Sequence, residues 1–192
     1  MSLFAMFLKL QDCQCLVVGA GAIGEGKAQS LIEAGALVSV VAPRATQRLQ
    51  ELAATSAITW LKRKFEPSDL EGKSLVIAAT SSPSVNELVF RESRRGHVLC
   101  NAVDDPPHCD FFYGAIVRRG DLQIAISTNG KSPAFAQRLR ELLEQQFGRE
   151  FAEKVNELGT AREKLFRSRT EPSLRKQLLR RMARQLPLAG AK

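Results

Sequence analysis

Up to about Phe111 the chain repeats one pattern, a short apolar run, a turn, then a longer segment with apolar residues at helical spacing. The mainly apolar runs Cys15–Val18, Val38–Val41, Ile58–Leu61, Ser74–Ala79 and His97–Asn101 predict strands buried on both faces of a parallel sheet. A helix is expected after Gly24, another over Thr46–Ala54, and a third from Pro83 to about Arg94 with Ser82 as its cap. Strands alternating with helices predict an α/β fold, a Rossmann-type doubly wound parallel sheet with right-handed crossovers. The pattern changes near Phe111. Ala115–Val117 and Leu122–Ser127 predict two strands joined by Arg118, Arg119, Gly120 and Asp121, a polar hairpin turn. A helix follows from Pro133 to about Phe147, with Ser132 as N-cap, and the rest predicts two or three basic helices. Three domains are expected: a dinucleotide-binding domain over 1–113, a strand pair plus helix over 114–147, and a basic helical domain over 148–192. The middle piece is too small to stand alone and is expected to pair with a second copy of itself.

The segment from Cys15 to Pro43 carries the sharpest chemical signal. Gly19, Gly21 and Gly24 follow a predicted strand in GxGxxG spacing and open a predicted helix, with Ala22 and Ile23 completing the loop. In that setting Gly19 makes the sharp turn, Gly21 lets backbone approach a pyrophosphate, and Gly24 lets helix pack on strand. The helix N-terminus then faces the phosphates, where its unpaired N–H groups and dipole favour an anion. The alternative is a tight turn that binds nothing. The carboxylate that usually holds the adenine ribose is missing, because the second strand ends in Ala42, Pro43 and Arg44. Arg44 is equally consistent with a 2′-phosphate contact and with a solvated helix start, so these residues alone leave NAD and NADP open.

Composition narrows the class without deciding it. A chain of 192 residues with 44% hydrophobic and 25% charged residues is ordinary for a globular protein, and no apolar run is long enough to span a bilayer. The opening MSLFAMFLKL is short and lacks a basic leader region, so neither signal nor anchor is expected and the localisation expected is cytoplasmic. Cys15 and Cys100 fall in predicted strands as packing thiols, and the spacing of Cys13 and Cys15 without a nearby histidine matches no usual zinc pattern. No metal site is expected. The net charge of +8 is concentrated at the C-terminus, where 148–192 holds 12 Lys and Arg against 5 Glu. Leu165, Phe166, Leu174, Leu178 and Leu179 interleave with the basic residues, as in amphipathic helices with a cationic outer face. That surface suits a polyanionic small molecule better than nucleic acid.

In doubly wound sheets ligands sit beyond the carboxyl ends of the strands, so Thr80, Ser81 and Ser82 and the stretch Asn101, Ala102, Val103, Asp104 and Asp105 should line the cofactor cleft. Asp104 or Asp105 is where a general base would stand, although both also suit a turn before Pro106 and Pro107. His97 reads as a strand opener, and His108 as a loop residue near the cleft. Ser127 to Pro133 forms a second loop-to-helix entry, in which Thr128, Lys131 and Ser132 suit carboxylate binding or an ordinary capped helix start.

Taken in order, FLKLQDCQCLVVGAGAIGEGKAQSLIEAGALVSVVAP, VIAATSSPSVNELV, LCNAVDDPPHCDFF and GDLQIAISTNGKSPAFAQRLRELLE resemble the precorrin-2 dehydrogenase family, the N-terminal module of siroheme synthases and its stand-alone relatives. The resemblance implies NAD-dependent oxidation of precorrin-2 to sirohydrochlorin in siroheme or cobalamin synthesis, by a stand-alone enzyme. It places the proton acceptor on Asp104 and implies a homodimer formed through the stretch matching Ala115–Phe147. Some relatives also insert ferrous iron, which would be a substrate and not a resident metal. The substrate is a polycarboxylate, so Lys131, Arg138 and the basic tail are expected to meet it, with no role for nucleic acid or membrane. In the family the second strand commonly ends in the same Ala-Pro pair, and the position of Gly24 is often alanine, which reads as a harmless departure. The competing reading from another class is a non-catalytic dinucleotide sensor, which would keep the glycines and need no Asp104.

Overall fold

The computed structural model describes residues 3–185, so residues 1–2 and the end of the expected basic tail, 186–192, lie outside it. The chain divides into two compact units, Phe4–Phe112 and a second that begins at Tyr113.

The first unit is built on five parallel strands, β1 (Gln14–Val18), β2 (Leu37–Val41), β3 (Thr59–Leu61), β4 (Leu75–Ala78) and β5 (Leu99–Ala102), in the order β3-β2-β1-β4-β5. Register runs Cys15 to Val38, Cys15 to Leu75 and Leu75 to Leu99 across the sheet, so the carboxyl ends of the strands line up along one edge. The strands carry apolar residues on both faces because both faces are covered. On one side Cys15, Val17, Val38, Val40 and Ile77 pack with Ala28 and Leu31 of α1 (Ala22–Glu33) and Leu49 of α2 (Gln47–Ala54). On the other, Leu16, Val18, Val41, Val76 and Cys100 pack with Val89 of α3 (Pro83–Arg95). Leu16, Val17, Val40, Val76 and Ile77 are fully buried, each contributing roughly 1.5–3 kcal/mol of hydrophobic free energy. The expected doubly wound sheet is present.

Helices α1, α2 and α3 end alike. In each, a residue with positive φ follows the cap (Gly35, Ser56 and His97), and the next N–H reaches back to the third-last helical carbonyl, Ala36 to Leu31, Ala57 to Leu52 and Val98 to Ser93. His97 therefore does not open β5. It is an exposed residue at φ +55° in the helix-ending turn, and the strand begins two residues later. Ser82 is the N-cap of α3 as expected, but its hydroxyl lies 3.0 Å from that of Ser84 and caps no backbone N–H.

The second unit holds an antiparallel hairpin, β6 (Ala115–Arg119) and β7 (Leu122–Ile126), followed by α4 (Pro133–Gln146), α5 (Glu150–Arg167) and α6 (Pro172–Gln185). Arg118 and Arg119 are strand residues, so the hairpin loop is only Gly120 and Asp121, with Gly120 at φ +58°. A two-residue loop with glycine first matches the twist of the flanking strands, which is why pairing continues up to it. The expected N-cap of α4 is present: Ser132 Oγ accepts from Phe135 N–H at 3.2 Å.

Candidate functional site

The turn that leaves β1 is held from two sides. Gly19 N–H donates to Val41 O at 2.9 Å, and Gly19 takes φ +101°, a region costly for any side chain. A Cβ on Gly19 would lie 2.4 Å from Ala79 O and 3.0 Å from Thr80 N, so the ends of β1 and β4 are in backbone contact. Strand order reverses between these two strands, which makes their carboxyl ends the topological switch point of the sheet.

Gly21 differs in kind. It is the exposed N-cap of α1 at φ −80°, ψ −173°, an extended conformation open to any residue, and a Cβ there would meet nothing within 4 Å. No protein neighbour requires a glycine at this position. A bare backbone at a helix N-terminus, with the first N–H groups of α1 beside it, fits a phosphate brought close to the chain. Ala22 and Ile23 are exposed in the first turn, Ile23 being 53% accessible. Gly24 is buried, and a Cβ on it would lie 2.1 Å from Gly19 O. The obstruction is backbone, so this turn requires glycine at position 24.

At the end of β2, Ala42 is buried and bonded on both sides: its N–H donates to Leu61 O at 3.2 Å and its carbonyl accepts from Trp60 Nε1 at 3.0 Å. Pro43 and Arg44 are exposed, and Thr46 N–H donates to Ala20 O at 3.1 Å, tying the start of α2 to the glycine turn.

Beyond β4, Thr80 is half-buried and Ser81 exposed. Beyond β5, Val103 N–H donates to Ala78 O at 2.9 Å, so the fifth strand's exit is anchored to the fourth. Asp104 follows at φ +60° with an exposed side chain. The loop behind it is tightly bonded. Buried Asn101 gives its Nδ2 to Phe111 O at 2.8 Å and to Cys109 Sγ at 3.3 Å. Asp110 accepts from Cys100 N–H at 3.0 Å and pairs with Arg94 at 2.8 Å. Asp105 Oδ2 lies 2.6 Å from His108 Nδ1, and the His108 ring meets Phe90 edge-on at 5.0 Å. Asp105 and His108 thus face each other, while Asp104 is left at the loop's leading edge.

Two residues of this region escaped the sequence reading. Burial holds the ammonium of Lys27, in the second turn of α1, below its ordinary pKa, and the charge of Asp104 opposes that shift, so the two stand within electrostatic range. Asn86 of α3 is buried and bonded to Thr80 through both atoms of its amide. Lysine at helical spacing behind the glycines, and asparagine in the buried stripe of α3, were the available signals.

Thr128, Lys131, Ser132 and Arg138 belong to the second unit. Thr128 Oγ1 accepts from Ser132 N–H at 3.2 Å, Lys131 is exposed beyond a turn through Asn129 and Gly130 at φ +56° and +75°, and Arg138 pairs with Glu141 at 3.2 Å on the surface of α4. Burial pushes the thiols of Cys15 and Cys100 up to about 11, as befits packing groups.

Comparison with known proteins places this arrangement. Residues 6–115 match the family model described as "Putative NAD(P)-binding", and residues 119–146 match that of the sirohaem biosynthesis protein central segment. Siroheme synthase 3 of Aeromonas hydrophila is 42% identical over 144 residues, 75% of this chain and 31% of the relative. Siroheme synthase 2 of Yersinia enterocolitica is 37% identical over 165 residues, 86% of this chain and 35% of the relative. The chain thus spans about a third of the length of these relatives. Among solved structures, SirC, a precorrin-2 dehydrogenase, superposes with a TM-score of 0.82 at 26% identity, covering 94% of this chain and 89% of that one. With the glycine turn at the switch point and the model match over more than half its length, the chain belongs to the family described as putative NAD(P)-binding, and its hairpin and α4 match the sirohaem biosynthesis central model.

Proposed function

We propose that this chain is an NAD-dependent precorrin-2 dehydrogenase that oxidises precorrin-2 to sirohydrochlorin, with Asp104 as the proton acceptor. The observation that carries the reading is the pairing, on one edge of one sheet, of an open glycine turn at Gly21 with a carboxylate presented at the end of β5. The likeness to SirC over nearly the whole of both chains supports it. A sensor would need the glycine turn but not the carboxylate.

The residues divide the work as follows. Gly19, Gly21, Ala22, Ile23 and Gly24 hold the pyrophosphate at the N-terminus of α1, while Ala42 and Pro43 border the adenosine side and Thr80, Ser81, Asn101 and Val103 border the nicotinamide side. NAD supplies the hydride acceptor. Loss of a hydride from the substrate must be accompanied by loss of a proton, and the Asp104 carboxylate takes it. Lys27 stands within electrostatic range of that carboxylate, its own ammonium held below the ordinary pKa by burial against the opposing charge of Asp104. Thr128, Lys131, Ser132 and Arg138 contact substrate carboxylates. NAD rather than NADP follows from the family resemblance, since the end of β2, with Ala42, Pro43 and an exposed Arg44, carries no ribose-binding carboxylate that would select between them. Ferrous iron, if inserted into the product, enters as a substrate, and the same Asp104 accepts the pyrrole protons that insertion releases.

The protein works as a homodimer in this reading. Ile116, Phe135 and Leu142 of the second unit expose apolar surface that a second copy would cover. The test is Asp104→Asn assayed with precorrin-2 and NAD under anaerobic conditions. Retained NADH binding with turnover lowered by two orders of magnitude or more, the scale of a lost general base, is expected. Unchanged turnover would remove Asp104 from the mechanism.

A further inference from the structure

Asn86 stands where the pattern of α3 calls for an apolar side chain. The buried stripe of that helix runs Asn86, Val89, Ser93, and Asn86 is only 6% exposed. Removing an amide from water is unfavourable unless its donors and acceptors are matched, and Asn86 matches them on a single residue. Its Oδ1 accepts from Thr80 N–H at 3.2 Å and from Thr80 Oγ1 at 2.7 Å, and its Nδ2 donates to Thr80 O at 3.1 Å. The Thr80 hydroxyl in turn accepts from Ser82 N–H at 3.2 Å, so the whole loop from Thr80 to Ser82 hangs on this amide.

The location of the clamp gives it consequence. Thr80 is the second residue past β4, where ladder pairing has ended, and a side chain has taken the place of a strand as partner of its backbone. Ala79 O and Thr80 N are also the atoms that stand against Gly19. Their position sets the width of the crevice between the carboxyl ends of β1 and β4. We propose that Asn86 is a positioning residue for dinucleotide binding: it fixes the exit of β4 against the glycine turn and aims the Thr80–Ser82 loop at the cofactor. This rests on the NAD(P)-binding reading of the crevice and names the residue that sets its shape.

The full chain is compared with Asn86→Ala and Asn86→Asp. The second keeps the volume and the acceptors but loses the donor to Thr80 O. NADH affinity is measured by calorimetry well below the melting temperature, alongside steady-state kinetics and amide exchange at Thr80. Asn86→Ala should weaken NADH binding, and raise the KM for NAD, on the order of tenfold or more, the scale set by misplaced binding groups. The kcat at saturating NAD should stay within about threefold, because no reacting atom is touched. Asn86→Asp should fall between the two, and the Thr80 amide should exchange faster in both variants. A folded variant that melts lower yet binds NADH within twofold of the wild type would overturn the inference; if Asn86→Ala does not fold, Asn86→Asp decides by the same criterion. Wild-type chain that fails to bind NADH would overturn the cofactor reading itself and this inference with it, whereas wild-type binding with unchanged variants overturns the clamp alone.

Discussion

Gly19 and Gly21 lie two residues apart and should fail for opposite reasons. At Gly19 an alanine must hold φ +101° and place its Cβ 2.4 Å from Ala79 O and 2.7 Å from Ala79 C, both backbone. The left-handed conformation costs about 1–2 kcal/mol, and forcing a methyl group into packed backbone adds roughly 1–3 kcal/mol. A loss of roughly 2–5 kcal/mol is expected for Gly19→Ala. At Gly21 the backbone is extended and the Cβ direction is empty within 4 Å, so nothing in the protein resists alanine. Lower unfolded-state entropy favours the alanine by about 0.4–1 kcal/mol, and the weaker N-cap takes back a similar amount. Stability should stay within about 1 kcal/mol, which is roughly 2–4 °C in Tm for a chain of this size. The methyl group would, however, sit where a pyrophosphate approaches the helix, and NADH affinity should fall by about tenfold or more, that is ~1.4 kcal/mol. Thermal melts and NADH titration of both variants separate the two effects. Gly21→Ala with wild-type NADH affinity would refute the assignment of this turn to the pyrophosphate, and Gly19→Ala with wild-type stability would refute the packing argument.

Gly24→Ala should destabilise the first unit by about 1–3 kcal/mol, because its Cβ would lie 2.1 Å from Gly19 O; a chemical denaturation curve that superposes on the wild type would count against this. His97→Gly should stabilise by roughly 0.5–1 kcal/mol, since His97 holds the left-handed turn that ends α3 at φ +55°, and the check is a rise in Tm. Burial works to raise the pKa of Asp69, but the Arg63 hydrogen bond, the Glu66 N–H and the charges of Arg63 and Lys73 outweigh it and hold the carboxyl below its usual value. A depressed folded-state pKa contributes stability in full above the unfolded value of about 3.9 and loses it as pH falls through the folded one. Asp69→Asn should therefore be less stable than the wild type at neutral pH, by roughly 1–3 kcal/mol, with the gap closing below about pH 4; a gap constant from pH 7 to 3 would contradict the pairing.

What was legible in the sequence was what short-range pattern controls. The apolar runs of β1, β2 and β4 are buried on both faces because helices cover both, and Gly19 and Gly24 have the spacing that strand-to-helix packing requires. Ser132 and Pro133 announced α4 because capping is local chemistry. His97 was misread because a polar residue before an apolar run resembles a strand opener, and the backbone turn that claims it is set by Ser93 and Arg94 behind it. Arg118 and Arg119 read as a turn on polarity alone, although cross-strand pairing extends through them. The spacing marks Gly24 as a packing position, but how little room it has depends on how closely this turn brings Gly19 O to it. Lys27 went unnoticed because Asp104 follows a distant strand and only the fold brings the two together, whereas Asn86, six residues from Thr80, went unnoticed because one polar residue in a helical stripe does not announce its burial or its partner.

The central claim, that the glycine turn and Asp104 serve hydride transfer from a tetrapyrrole, is tested most directly by mixing the full chain anaerobically with precorrin-2 and excess NAD and following nicotinamide absorbance together with the sirohydrochlorin spectrum. The account predicts one NADH for each sirohydrochlorin formed, and slower turnover with NADP in place of NAD. NADH binding without any NADH formation would contradict it and leave a dinucleotide sensor as the better description.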